Sequence, residues 1–215
     1  ICEWATEQAY KYDAWSMVFK LTKQELHDKY ILPMFKRSLE QNLSAVFYTA
    51  DTGEIVGCAV FQDLYDEKMG LRPDLVEQVE LLNRMEKYIR KENPHLFAIP
   101  SKRYETIVLS IGIVDQKFTK LEIGKDCLKY IITNHPLVGK AKKVIAESEG
   151  LPGAKMCIYC GMSLYWKKPY KEFKDVLGLE ELAALPEIVE ANGLNPKLYQ
   201  DYWIYYLDRT QKANL

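Results

Sequence analysis

The chain switches repeatedly between a helical and an alternating spacing of apolar positions, and the switches mark its elements. Trp4 to Phe19 mixes apolar and polar residues and predicts one helix. Thr22-Lys23-Gln24-Glu25 is a capping box, in which hydroxyl and carboxylate satisfy free backbone N–H groups. A helix is predicted from there towards Asn42, interrupted at Pro33. Ser44 to Ala50 and Glu54 to Asp63 are rich in strand formers and flank the turn Asp51-Thr52-Gly53, predicting a β-hairpin. Pro73 to Glu92 predicts a helix with Leu75, Val79, Leu82, Met85 and Ile89 on one face, stopped by Asn93-Pro94. In Tyr104 to Val114 the residues Ile107, Val108, Leu109, Ile111 and Ile113 form a nearly continuous apolar run, so this strand is expected to be covered on both faces. A helix follows from Ile123, with Cys127, Leu128, Ile131 and Ile132 facing inward, and ends at His135-Pro136. Val144–Glu147, Ser163–Tyr170 and Tyr202–Asp208 predict strands; Pro152–Cys160 and, despite Pro186, Leu179–Asn192 predict helices. The order implies an α/β class with a strand–helix–strand centre and a single domain over residues 1–215.

Composition narrows the functions. With 215 residues, 48% hydrophobic and 27% charged, the chain can bury a core without disulfides or a structural metal. A net charge of −1 argues against nucleic acid as partner, and Lys140, Lys142 and Lys143 are soon followed by Glu147 and Glu149. Apolar stretches are only strand-length and no signal peptide is visible, so no membrane association and a cytoplasmic location are expected. Five irregularly spaced cysteines do not make a secreted disulfide framework. Cys157 and Cys160 form a C-x-x-C without the further ligands a closed zinc site needs, so no metal is expected.

The stretch most suggestive of chemistry runs from Val114 to Lys125, where a buried strand turns into a helix. Unpaired N–H groups and the positive dipole end at a helix start favour an anion, and Lys120 and Lys125 add charge. The same stretch also reads as an ordinary strand-to-helix loop. His27, His95 and His135 are scattered, and no serine sits in a nucleophile elbow. The run Tyr199, Tyr202, Trp203, Tyr205, Tyr206 has three readings: lining of an acceptor pocket, core packing of alternate members, or an exposed contact patch.

Three ordered segments resemble the GNAT-type acetyl-CoA-dependent N-acetyltransferases, in particular their arylalkylamine branch. Asn42 to Tyr48 with Asp51 to Gly57 is similar to the family's hairpin and its "tGeivG" turn. Val114 to Lys125 is similar to the acetyl-CoA motif V-x-P-x-[YF]-[QR]-x-x-G-x-[GA]. Glu147 to Met162 is similar to the "E-x-x-N…S…K-x-G-F" segment. Leu21 to Leu26 adds the branch's helix-opening "T-x-E-E-L". The resemblance implies a mixed, mostly antiparallel central sheet with a splayed parallel strand pair and helices on both faces. Residues 43–162 form the best-matching core and residues 171–215 a C-terminal elaboration. The family's first strand is expected to precede Ile1 or to be absent.

By the same resemblance acetyl-CoA is the donor substrate, with Val114, Gln116, Thr119, Lys120, Leu121, Ile123, Gly124 and Lys125 as its binding residues. Thr119 stands where the family has Gln or Arg, and Glu122 where it has glycine; Gly124 is kept. Cys157 occupies the position of the family's general acid, and reads either as a proton donor to the departing thiolate or as a small buried hydrophobe. Gly153 falls at the family's other serine position. The branch's Glu-Pro pair is absent after the first helix, where Asp13 is the nearest carboxylate; Asp13 or Glu25 is the candidate base acting on an ammonium, with a surface carboxylate as the alternative. Asp63 is a further candidate base, or a turn cap.

These features imply transfer of acetyl from acetyl-CoA to a primary amine, a small one because no charged groove is evident. The alternative is a GNAT-fold protein without catalysis, a subunit of a larger assembly using the aromatic C-terminal segment for protein contacts.

Overall fold

The computed structural model describes residues 1–18, 20–68 and 80–210, without the side chains of 67, 68, 80, 82, 83, 120 and 121. Its centre is a six-stranded sheet in the order β1-β2-β3-β4-β6-β5. The strands are β1 (Ser44–Tyr48), β2 (Ile55–Asp63), β3 (Thr106–Val114), β4 (Lys143–Ser148), β5 (Ser163–Pro169) and β6 (Asp201–Asp208). All neighbours are antiparallel except β3 and β4. The β1–β2 hairpin closes at Gly53, whose φ of 69° lies where a side chain would be strained.

The α-helices are α1 (Cys2–Tyr12), α2 (Ala14–Val18), α3 (Lys23–Leu26), α4 (Leu32–Glu40), α5 (Tyr65–Lys68), α6 (Glu80–Glu92), α7 (Ile123–Asn134), α8 (Leu151–Tyr159) and α9 (Leu185–Ala191). On one face α7 and α8 cover Phe61, Ile107, Val144, Ala146 and Tyr205. On the other, α1, α3 and α4 rest on Cys58, Val60 and Ile111, while α2, α6 and α9 rest on Ile145, Tyr202 and Ile204. Each aliphatic side chain so buried contributes about 1.5–3 kcal/mol. The continuous apolar run of β3 thus reflects cover on both sides, as its sequence predicts.

A bulge makes β3 serve three clusters. Val60 pairs with Ile111 but Phe61 with Leu109, leaving Ser110 as an extra residue. Before it, Ile107 and Leu109 face α7 and Val108 faces the layer of α2, α6 and α9; after it, Ile111 and Ile113 face α1 and α4.

Several predicted elements are divided. Trp4 to Phe19 is not one helix: Asp13 is extended (φ −81°, ψ 118°) and separates α1 from α2, with Phe19 outside the described residues. The interruption expected at Pro33 falls earlier, as a π-helical turn over His27–Ile31; the backbone stays right-handed helical on either side of that turn, and Pro33 follows directly after it, at the beginning of α4. Pro186 does the same in α9, preceded by a 3-10 turn over Glu180–Ala184. Of the helix predicted over Pro73–Glu92, residues 73–79, with Leu75 and Val79, lie outside the described residues. β6 is an interior strand with Tyr202 and Tyr205 fully buried, so core packing claims much of the aromatic run. Among the described residues no helix is long and apolar enough to cross a membrane.

Candidate active site

Parallel pairing between β3 and β4 runs from Thr106↔Lys143 to Leu109↔Ala146 and stops. Beyond it β3 continues to Val114 beside β2, and β4 continues to Ser148 beside β6, so the two strands part at their C-terminal ends. Crevices at the C-terminal ends of parallel strands are where open sheets take ligands. The Asp115 amide donates to the Val56 carbonyl at 2.8 Å, on the β2 side. Backbone direction alternates along a strand, so Gly112 and Val114 turn their N–H groups to the side that β4 has left.

The loop after β3 is ordered by its own residues. Asp115 Oδ1 accepts the Lys117 amide at 2.9 Å and opens a 3-10 turn over Gln116–Leu121. The Thr119 hydroxyl donates to the Gln116 carbonyl at 3.0 Å. Glu122 then adopts a left-handed conformation (φ 58°) and α7 begins at Ile123. The Glu122 side chain is 72% exposed and its carboxylate pairs with Lys125 Nζ at 2.7 Å, pointing outward rather than filling the turn. Gly124 lies in the first turn of α7. A Cβ there would stand 2.5 Å from Val114 Cγ2 and 3.5 Å from Met156 Sδ, so glycine brings the helix start against the end of β3. Val114 is stiff at χ1 and cannot swing aside cheaply. Gly124→Ala is expected to cost about 1–3 kcal/mol through overpacking, read as a lower thermal or urea midpoint. Of the eight predicted cofactor-binding residues the structure thus gathers Val114, Gln116, Thr119, Ile123, Gly124 and Lys125 around one turn, with the backbone of Lys120 and Leu121 inside it.

A carboxyl pair lies across the splay, at the end of β4. Asp13, at the break between α1 and α2, accepts the Ser16 amide at 2.7 Å and the Ser16 hydroxyl at 2.5 Å through Oδ2. It thereby starts α2 in the manner of an N-cap aspartate. Glu149, just past β4, accepts the Trp15 amide at 3.0 Å and hydrogen-bonds to the Asp13 carboxyl. Tyr170 closes the group, donating its hydroxyl to the Glu149 carbonyl at 3.1 Å. Burial, although the residue keeps part of its surface exposed, followed by the negative charge of Asp13 and the bond to it, holds Glu149 well above the usual carboxylate range; the amides of Trp15 and Ala14 oppose this only in part. Two acids sharing a site titrate as a unit, and such a pair keeps a proton at pH values where a lone carboxyl has lost it. Burial and the same two acids also hold the nearby Tyr30 phenol protonated.

Sequence reasoning selected Asp13 but missed Glu149. The signal available was the acidic run Glu147-Ser148-Glu149 closing a buried strand and followed by Gly150. The other candidate acids are used elsewhere. Glu25 completes the capping box with Thr22 and pairs with Lys29 at 3.3 Å. Asp63 lies at the opposite end of β2 from the splay, where it accepts the amides of Tyr65 at 3.1 Å and Tyr104 at 2.9 Å, as a turn cap does.

No protein-family model matches the sequence, and no curated protein does. Solved structures do match. The protein designated arylalkylamine N-acetyltransferase 7 of the yellow fever mosquito Aedes aegypti superposes over 97% of this chain and 83% of its own, with a TM-score of 0.66 and 14% identity. The chain has the fold of the GNAT N-acetyltransferases. Arylalkylamine N-acetyltransferase 2 of Aedes aegypti matches over 93% and 88% of the two chains (TM-score 0.60, 12% identity). The C-terminal condensation domain of Ebony, solved with β-alanyl-dopamine, matches over 94% and 90% (TM-score 0.65, 14% identity).

Against the GNAT pattern, the two positions expected to carry a proton-donating side chain stand out. Cys157 lies in the cluster beneath α7 and α8, 3% exposed, and burial pushes its thiol up to about 12. That cluster is on the opposite face of the sheet from the Asp13 layer, so the two predicted catalytic residues are not brought together. At Gly153 a Cβ would meet Ser148 Oγ at 2.4 Å. The Ser148 hydroxyl therefore occupies that space, donating to the Gly150 carbonyl at 2.7 Å.

Proposed function

We propose that this GNAT-fold chain transfers acetyl from acetyl-CoA to a primary amine, a small one. The observation that carries the reading is the splay of β3 and β4, with the Gln116–Lys125 turn at one lip and the Asp13–Glu149 pair at the other. The turn offers the N–H groups of Ile123 and Gly124, at the positive end of α7, to the donor's diphosphate, while the Lys125 amide is taken by the Glu122 carbonyl at 3.0 Å. Gly124 lets that helix start lie against β3, and the outward Glu122 leaves the concave side free of its carboxylate.

The residues divide the chemistry as follows. Glu149, once it has released the proton it shares with Asp13, takes the proton that an acceptor ammonium must lose before its nitrogen can attack; a base whose affinity for protons lies above that of an ordinary carboxylate is better matched to that task. The Val114 N–H, left unpaired by the splay, polarises the acetyl carbonyl and stabilises the oxyanion formed on attack. As the carbon–sulfur bond breaks, the departing thiolate takes its proton from water; Cys157 holds its own proton too firmly, and too far inside the core, to be the first source.

Calorimetry with acetyl-CoA tests the reading. Micromolar binding is expected, and Glu122→Gly should tighten it by about 3- to 10-fold, because it removes an anion and frees Lys125. No detectable heat at millimolar acetyl-CoA would overturn the proposal in favour of a non-catalytic GNAT-fold subunit, the reading that Gly153 and the buried Cys157 favour.

A further inference from the structure

We infer that Asp115 is a positioning residue that ties the donor-binding turn to the acceptor-side base through helix α1. The inference rests on the acetyltransferase reading above. Asp115 is 9% exposed, and both of its carboxylate oxygens are engaged. Oδ1 holds the Lys117 amide at the start of the turn, as described. Oδ2 accepts the Trp4 indole N–H at 3.1 Å and the Gln8 side-chain amide at 3.3 Å. Trp4 and Gln8 are four residues apart, so they lie one above the other on the same face of α1. Gln8 Oε1 is buried and finds no donor among the described residues, so the contact with Asp115 is what orients its amide.

The same helix ends at Asp13, whose backbone N–H caps α1 by donating to the Ala9 carbonyl at 2.8 Å. An 11-residue helix is a rod about 16 Å long, stiff enough to carry a displacement from one end to the other. One carboxylate therefore sets the register of two parts of the site that are remote in sequence. Ala5 and Ala9 keep α1 on the sheet through apolar contact, which is not directional; the two N–H bonds to Asp115 fix where along the sheet it rests. A slip of the rod would move Asp13, and with it the shared proton, relative to the acetyl carbon.

Trp4→Phe and Gln8→Met, alone and together, remove the two donors without touching the turn. The expected result is an acetyl-CoA affinity equal to wild type by calorimetry, with kcat for the amine reduced about 10- to 100-fold, the scale of a misplaced reacting group. Asp115→Asn, which retains an oxygen for the Lys117 amide but turns a donor towards Trp4 and Gln8, should show the same split. An unaltered kcat in the double variant, or a loss of acetyl-CoA affinity in step with kcat, would overturn the inference. If Trp4→Phe does not fold, Gln8→Met carries the same comparison by itself. Failure of the wild-type protein to bind acetyl-CoA would overturn this inference together with the reading beneath it, whereas an active wild type with kinetically silent variants overturns this inference alone.

Discussion

Replacing Glu149 with glutamine is expected to lower kcat/KM for the amine by about 100- to 10,000-fold, the usual contribution of a positioned general base. The substitution keeps an oxygen to accept the Trp15 amide but cannot share a proton with Asp13. Acetyl-CoA binding, proposed for the other lip, should survive. The pair also leaves a mark on stability. Glu149 is held well above its usual range by burial and by Asp13, so at pH values between the ordinary carboxylate range and that raised value the folded chain keeps a proton that the unfolded chain has released. Stability must then fall as pH rises through this window, by up to about 1.4 kcal/mol per pH unit, and must level off above it. Glu149→Gln has no such proton, so its urea midpoint should be flatter with pH than that of wild type. Equal slopes in the two proteins, or a variant within tenfold of wild-type activity, would remove the pair from the mechanism.

Arg209→Ala is expected to cost about 2–4 kcal/mol, since hydrogen bonds from a charged group are individually worth about 1.5–3 kcal/mol and do not add fully. Directly after β6, the Arg209 guanidinium donates to the Val138 carbonyl at 2.9 Å, the Ala141 carbonyl at 2.6 Å and the Ile132 carbonyl at 2.6 Å. The last of these lies in the final turn of α7, whose carbonyls have no partner within the helix. One side chain thereby joins the end of α7, the turn before β4 and the end of β6. For a chain of this length the loss corresponds to a fall in thermal midpoint of about 5–15 °C. Arg209→Lys should recover little of it, because an ammonium is a point charge and cannot present a planar fork to several carbonyls. A midpoint within a degree of wild type for the alanine variant would show that water replaces all of these bonds.

Much of this architecture can be read along the chain where the determining contact is local. The capping box at Thr22, the hairpin around Gly53 and the apolar run of β3 are written within a few residues of one another, and each is found. The breaks inside helices are less legible. Asp13 interrupts α1 and α2 because its carboxylate serves Ser16 and Glu149, and only the first of these partners is nearby in sequence; Asp-Ala-Trp-Ser is a usable N-cap signal, but the Trp15–Glu149 contact spans 134 positions. Pro33 is legible as an interruption, yet not its resolution as a π-helical turn just upstream; Pro186, read as lying within one helix, instead stands in the first turn of α9 after a 3-10 turn, because proline is accommodated at a helix start. The turn proposed to bind the donor stands out from Val114 to Gly124 because strand, turn and helix start are contiguous. The Asp13–Glu149 pair does not, because its two acids lie far apart along the chain and only the fold makes them neighbours. Cys157 illustrates the converse: its position along the motif points to chemistry, while its depth is set by the packing of α7 and α8 and cannot be counted off the sequence.

The extra residue at Ser110 has a consequence for how the chain reaches its native state. The bed on which α1 lies includes Ile111 and Ile113, and Asp115, the anchor for Trp4, is 111 positions away from it. During synthesis the N-terminal helix leaves the ribosome well before that bed exists. It must idle, half-formed and apolar on one side, until β3 has zipped onto β2, and such distant closures are slow and expose sticky surface meanwhile.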